Sequence, residues 1–368
     1  MKRTSFTVFF TAIFLVGFGL LILLSASSVY AVSSRSSMYS IFIKQLVIAI
    51  GGVLCMILFA AFPYNSYKQF TKIGMYISVA LLLATMIFMP EVKHAKRWLN
   101  VGLFSFQPVE LVKLFLIMHI AHLMDDRQEL LDDFKRSVGP VLFWVVVVFS
   151  LVVIQPNVSS AALILMIAFS MLYIGGARLK HIFSTMIVML VGASSMAMIL
   201  PHSNKRLTKF FGNETQYQVQ QAIIGLGSGG ISGLGIGNSK QRNLHLAEAY
   251  GDFIYSIAGE ETGLLGSLGI LIGFGILFFV GVVIAKNAKD TFGKLLAFGI
   301  SASFLLSALV HIGVSTGSLP ATGITLPFIS YGGTSLLVSS ASLGILMNIG
   351  FSNKSVEEQL TANPEGAK

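Results

Sequence analysis

Two stretches of this chain, 8–32 and 137–177, carry no charged residue at all. A helix needs about 20 consecutive apolar residues to cross a hydrocarbon core about 30 Å thick, so runs this long leave few folds open. Lipid accepts them as helices because a helix satisfies its own backbone polar groups. Composition agrees: 54% of the 368 residues are hydrophobic and 11% are charged, against about 25% charged in a soluble globular protein. The first run is too long for a signal-peptide core, and Ala26-Ser27-Ser28 is a weak cleavage-like site, so it reads as a retained helix. The one cysteine, Cys55, excludes an intrachain disulfide and a cysteine-based metal cluster. A net charge of +9 would suggest nucleic acid in a soluble protein. Here it fits the positive-inside rule and anionic lipid, and no nucleic-acid partner is expected.

The fold class expected is an all-α integral membrane protein of ten helices, at 8–32, 41–62, 73–89, 108–124, 138–154, 158–176, 181–200, 253–285, 292–313 and 332–351. Pro108 suits a helix first turn, and Pro156 splits the run 138–176 in two. The membrane domain would cover 1–352, with a long external loop at 201–252 between helices 7 and 8 and a short disordered tail at 353–368. Leaving that loop aside, Lys and Arg favour both termini inside. The outer face then holds two basic clusters, one around Lys93, Lys96 and Arg97, the other in the long loop with Arg206, Lys240 and Arg242. A loop of this length is functional or disordered; its mixture of aromatics, Gln, Gly and charges reads as a folded external cap.

Ionisable residues at membrane depth are costly, so each is a functional candidate. Glu110 and Lys113 share a helix face and can pair, either as a structural lock or as the charged wall of an outward cavity. Glu260 and Glu261 follow Asp252 by about two turns, and at least one of them reads as a packing residue. His119 and His122 share a face without further ligands in the pattern. Asp252 stands where the external loop re-enters the membrane. It fits a plain N-cap, or a general base or metal ligand facing the outer cavity. The string Gly225-Leu226-Gly227-Ser228-Gly229-Gly230 matches G-x-G-x-x-G, but the loop has no room for the βαβ unit that a dinucleotide site requires. A glycine-rich bend near the membrane surface is the simpler reading, and a backbone cradle for phosphate the sharper one.

Four stretches together resemble the FtsW/RodA (SEDS) family of peptidoglycan glycosyltransferases, over nearly the whole chain. They are Arg97-Trp98-Leu99-Asn100-Val101-Gly102 running into Phe106-Gln107-Pro108-Val109-Glu110-Leu111-Val112-Lys113; Tyr217-Gln218 with Gly227-Ser228-Gly229-Gly230 and Gly233-Leu234-Gly235; Asp252-Phe253-Ile254-Tyr255 leading to Glu260-Glu261-Thr262-Gly263; and Pro320-Ala321-Thr322-Gly323-Ile324-Thr325-Leu326-Pro327-Phe328-Ile329-Ser330-Tyr331-Gly332-Gly333-Thr334-Ser335. The reading Gly235-Ile236-Gly237-Asn238-Ser239-Lys240-Gln241-Arg242 is more similar to the division-type FtsW branch. Two departures stand out. Where the family carries Gln-Pro-Asp, this chain has Gln155-Pro156-Asn157, an amide that can hydrogen-bond but cannot act as a base. Before the aspartate it reads Leu246-Ala247-Glu248-Ala249-Tyr250-Gly251.

The resemblance implies polymerisation of lipid II, a polyprenyl diphosphate-linked disaccharide pentapeptide, by inverting transfer at the outer face of the bacterial cytoplasmic membrane, for septal wall synthesis. It implies Asp252 as catalytic base. Arg97, Glu110, Lys113, Arg206, Lys240, Arg242, Lys93 and Lys96 would be substrate-binding, with Arg97 and Arg206 the foremost candidates for the leaving diphosphate. A divalent cation, magnesium or manganese, is implied by the family alone; no metal ligand set is assigned and no organic cofactor is expected. The expected partners are a class B penicillin-binding protein and other division proteins. The alternatives are a lipid II flippase and a non-catalytic division scaffold. A flippase would place charge at the midplane and show internal repeats, whereas here no repeat is found and the candidates cluster at the outer boundary.

Overall fold

The computed structural model describes residues 2–33, 39–90, 97–101, 104–130, 133–199, 212, 217–244, 246 and 250–353. Ten long helices fall where the apolar runs predict them. In chain order the helices are α1 (Lys2–Ser33), α2 (Ser40–Ala61), α3 (Thr71–Phe88), α4 (Pro108–Asp125), α5 (Gly139–Ile154), α6 (Val158–Ile174), α7 (Leu179–Ile199), two short ones, α8 (Tyr217–Ser228) and α9 (Lys240–Leu244), then α10 (Ile254–Lys286), α11 (Thr291–Ser315) and α12 (Gly333–Ser352). Seven of them are long and apolar enough to cross a membrane. The helix α4 carries three charged residues, Glu110, Lys113 and Asp125, within its 18 residues, which leaves it no uncharged span of that length. The fold is an all-α membrane protein, and its outward faces are apolar, as on α2, where Val47, Ile50, Leu54 and Leu58 are exposed.

Residues at the helix ends sort the molecule into two faces. On one face Ser5 Oγ donates to Met347 O at 3.0 Å, so the start of α1 lies beside the end of α12. The same face gathers the turns after α2, α4 and α10. Asn348 closes the end of α2, donating to Ala60 O (2.7 Å) and accepting from Tyr64 N (2.9 Å). Lys68 pairs with Asp125, whose other oxygen accepts from Phe292 N at 3.0 Å. Asp290 caps α11 through Gly293 N (2.7 Å) and accepts from the Tyr64 hydroxyl (3.2 Å). Each of these bonds satisfies a helix end that lipid could not. The opposite face holds a small hairpin before α4, Leu99–Val101 paired to Phe104–Phe106, the α5–α6 turn, the segment with α8 and α9, and the irregular run of chain at 316–332.

The centre of the bundle is α4, α10, α11 and α12; α12 is buried along nearly its whole length. Helices approach closely where small residues meet, since packing between membrane helices rests on van der Waals contact rather than on water. Gly344 of α12 is the tightest case on α2: a Cβ there would overlap the carbonyl oxygen of Met56. Gly51, on the facing helix, would place a Cβ 3.8 Å from Leu337, an ordinary contact. Gly344→Ala is therefore expected to destabilise the bundle by about 1–3 kcal/mol through overpacking, while Gly51→Ala leaves it unchanged. Thermal unfolding of the detergent-solubilised variants, followed by tryptophan fluorescence, checks the pair.

Candidate functional site

The face that bears Asp252 is organised by the non-helical stretch 325–332 and the first turn of α12 that follows it, 333–335. Ser330 Oγ accepts from Leu326 N (2.9 Å), closing a turn, and donates to Gly251 O (2.8 Å). Next to it, Tyr331 N donates to Tyr250 O (3.0 Å), and the two tyrosine rings meet edge to face at 5.7 Å. The residues just before Asp252 are thus held from the side. Four residues on, Thr334 Oγ1 accepts from Gln107 N (3.1 Å) and donates to Ser105 O (3.3 Å), which fixes the entry to α4. Gly332 N reaches Gln45 of α2 at 3.4 Å. One stretch therefore positions both the aspartate and the helix that carries Glu110 and Lys113.

Asp252 is half-buried. The helix α10 begins at Ile254 with Phe253 in the cap position and no side-chain cap. Asp252 lies one residue outside, so it is not the N-cap that its position in the sequence suggested. Glu110 and Lys113 pair at 2.9 Å, with side chains 12% and 13% exposed. They line a narrow cleft of about 30 Å³ between α4, α11, α12 and the 325–335 stretch. Its polar lining is Glu110, Lys113, Ser303, Ser307, Thr325, Ser335, Ser339 and Ser342, with Ile117, Phe304, Pro327 and Val338 among the apolar residues. Sequence reasoning missed the serines. Their signal was present: 303 and 307, and 335, 339 and 342, recur at the spacing of one helix face within otherwise apolar helices. Several of these hydroxyls spend their proton on the helix itself: Ser303 on Ile300 O (2.7 Å), Ser307 on Ser303 O (2.7 Å) and Ser342 on Val338 O (2.8 Å). Each keeps oxygen lone pairs to offer as acceptors.

The predicted basic residues divide. Lys113 is in the cleft. Arg97 lies at the end of α5, its Nε donating to Gln155 O (3.1 Å) and Nη2 to Pro156 O, while Gln155 in turn binds Leu82 O (2.9 Å) and Thr85 Oγ1 (2.7 Å). Asn157, the amide that replaces the family's carboxylate, is buried beside that turn. Arg242 is placed elsewhere. Its guanidinium faces Glu261 at 3.6 Å and binds Ser25 O (2.9 Å) and Gly237 O (2.9 Å), so its charge is spent within the protein. Lys240 is exposed, and its backbone N–H donates to Glu260 (2.9 Å). Lys93, Lys96 and Arg206 lie outside the described residues.

The glycine string does not form a free nest for phosphate. Gly229 and Gly233 lie directly against the backbone of Gly259 and Glu261, where a Cβ would overlap the carbonyl oxygens. His119 is buried with its ring edge to face with Trp144 at 5.5 Å. Among the described residues no three His, Cys, Asp or Glu side chains come together. A divalent cation would therefore have to draw on ligand phosphate oxygens and one or two carboxylates, the usual manner for magnesium. Among the described residues this face offers a carboxylate, Asp252, and a polar cleft with the Lys113 ammonium, both held by the same stretch of chain.

Comparison with known proteins places this geometry. The family model described as cell cycle protein, which takes its name from FtsW, RodA and SpoVE, matches residues 6–355. Stage V sporulation protein E of Bacillus subtilis is 32% identical over 342 residues, covering 91% of this chain and 93% of that one. A probable peptidoglycan glycosyltransferase FtsW of Geobacter metallireducens is 33% identical, covering 95% of each. The protein of that name from Bacillus subtilis is also 33% identical, covering 100% of this chain and 96% of its own. Among solved structures, a chain from a peptidoglycan synthase complex that coordinates polymerization and crosslinking shares the fold with a TM-score of 0.77 at 22% identity, covering 94% of this chain and 96% of that one. The rod shape determining protein RodA of Thermus thermophilus does so with a TM-score of 0.71 at 23% identity, covering 95% and 97%. With the match running almost from end to end, and the four signature stretches meeting at one face of the bundle, the chain belongs to the FtsW/RodA/SpoVE family.

Proposed function

We propose that this protein polymerises lipid II into glycan strands by inverting glycosyl transfer at the outer face of the bacterial cytoplasmic membrane, in septal wall synthesis. The observation that carries the reading is the pairing of Asp252 with the Glu110–Lys113 cleft through the single stretch 325–335. The names of the relatives point the same way: two are probable peptidoglycan glycosyltransferases. Both termini are then cytoplasmic, and the face bearing Asp252 is external.

Chemically, the acceptor sugar hydroxyl is a weak nucleophile at neutral pH. Asp252 accepts its proton as the new glycosidic bond forms at the anomeric carbon, opposite the departing diphosphate, and the configuration there inverts. Lys113, with Arg97 and the external basic residues Lys93, Lys96, Arg206 and Lys240, offsets charge on the leaving group. Arg242 is withdrawn from that pool by Glu261. Glu110 holds the Lys113 ammonium in place before the substrate arrives. Magnesium or manganese would add positive charge at the diphosphate when bound. The partner of this reaction is a class B penicillin-binding protein, working with other division proteins; a structural relative comes from such a synthase complex.

Purified protein with its cognate partner and labelled lipid II tests the assignment. Asp252→Asn is expected to lower the polymerisation rate about 10²–10⁴-fold, the range that a general base contributes, with thermal stability retained. Equal glycan ladders from the two proteins would remove Asp252 from the reaction; none from either would shift weight to lipid translocation. The ion pair gives a second expectation. Glu110→Gln leaves a buried ammonium without its partner and is expected to cost about 3–5 kcal/mol of stability. Adding Lys113→Met restores most of that stability but not activity. If the double variant polymerises like the wild type, the pair is only a structural lock.

A further inference from the structure

Glu260 and Glu261 sit at the end of the half-helix 254–262, 0% and 1% exposed, and the reaction described above uses neither. The helix α10 is interrupted just after them: Gly263 has φ 67° and ψ −162°, which is not helical. The orientation of the half-helix, which begins next to Asp252, is therefore not inherited from the long lower part of α10. Lateral bonds set it. At one end these are the Ser330 and Tyr331 bonds to Gly251 and Tyr250. At the other end is Glu260.

The Glu260 carboxylate accepts from the Ser239 hydroxyl, from Lys240 N (2.9 Å) and from Gln241 N (3.3 Å). Above it the two backbones join directly. Leu234 N donates to Glu260 O (2.9 Å) and Gly235 N to Glu261 O (3.0 Å), while Leu264 N and Leu265 N return bonds to Gly230 O (2.9 Å) and Ile231 O (3.3 Å). Such an approach needs residues without side chains, which Gly229, Gly233 and Gly263 supply. Glu261 ties the same unit to α1 through Ser25 and Arg242. Hydrogen bonds to a buried carboxylate are shorter and stronger than neutral ones, and removing it leaves several buried donors without an acceptor.

We propose, on the reading that Asp252 is the general base, that Glu260 is a positioning residue: it latches the external segment 229–242 onto the half-helix that begins beside Asp252, so that the two move as one body. A loosened latch leaves substrate binding intact and misplaces the base, so it acts on kcat rather than on KM.

The experiment uses the full chain with its class B partner, comparing wild type, Glu260→Gln, Ser239→Ala and Asp252→Asn. Initial polymerisation rates at varied labelled lipid II give kcat and KM, and trypsin digestion read by mass spectrometry reports cleavage after Lys240 and Arg242. For Glu260→Gln the expected result is a kcat lower by about tenfold or more, a KM within about twofold of wild type, and cleavage several times faster. Ser239→Ala, which removes one hydroxyl, should fall between the two, and it decides the matter if Glu260→Gln fails to fold. Unchanged cleavage overturns the latch. Faster cleavage with unchanged kcat, or a rate loss confined to KM, overturns its role in positioning. If wild type and Asp252→Asn polymerise alike, the assignment of Asp252 fails; cleavage that still depends on Glu260 then upholds the latch by itself.

Discussion

Hydrocarbon offers no hydrogen bonds, so every interruption of a membrane helix must find its partners inside the protein. Much of this structure follows from that constraint. At Gly263 the break in α10 frees backbone groups, and the external segment returns to meet them, Leu234 and Gly235 donating to the carbonyls of Glu260 and Glu261. The stretch 325–335 is non-helical as far as Gly332, and side chains close it: Ser330 accepts from Leu326 N and Gln45 from Gly332 N, while Thr334 does the same for Gln107 N at the entry to α4. The two irregular places are the two that hold Asp252.

Charge inside the bundle obeys a related logic. Glu110 is paired with Lys113, Glu261 faces Arg242, and Lys68 joins Asp125. The last two link segments distant along the chain, whereas Glu110 and Lys113 lie on one helix face. The Lys68–Asp125 pair, with Asp290 and Asn348, fixes helix ends; the other two border the cleft and the contact between α10 and the segment 229–242. The energetic worth of a buried pair is small compared with the cost of losing one member, so these residues act chiefly by specifying a single arrangement.

Helix number and place were legible in the sequence because apolar run length is dictated by bilayer thickness. The Glu110–Lys113 pair was legible too, from its spacing on one helix face. Other features were not. Arg242 looked like a ligand for phosphate because external basic residues are interchangeable in a sequence; only the fold brings Glu261 and Ser25 to it. Asp252 looked like a helix cap, yet the helix starts one residue later, within the error of any boundary read from pattern. The glycine string looked like a bend, and its purpose, the contact with Gly259 and Glu261, lies in residues distant along the chain. The serines of the cleft were hidden by their frequency, since a lone serine in an apolar helix says little until two helices point theirs at one space.

A continuous helix passes rotation along its axis, because each turn is bonded to the next. At Gly263 that ladder stops. Tilt or twist imposed on the lower part of α10 by lipid thickness or by neighbouring helices is absorbed at the break, and the half-helix beside Asp252 turns only with the external segment and the 325–335 stretch. The break acts as a torsional joint, across which the half-helix beside Asp252 is bonded to the segment 229–242 rather than carried by the lower part of α10.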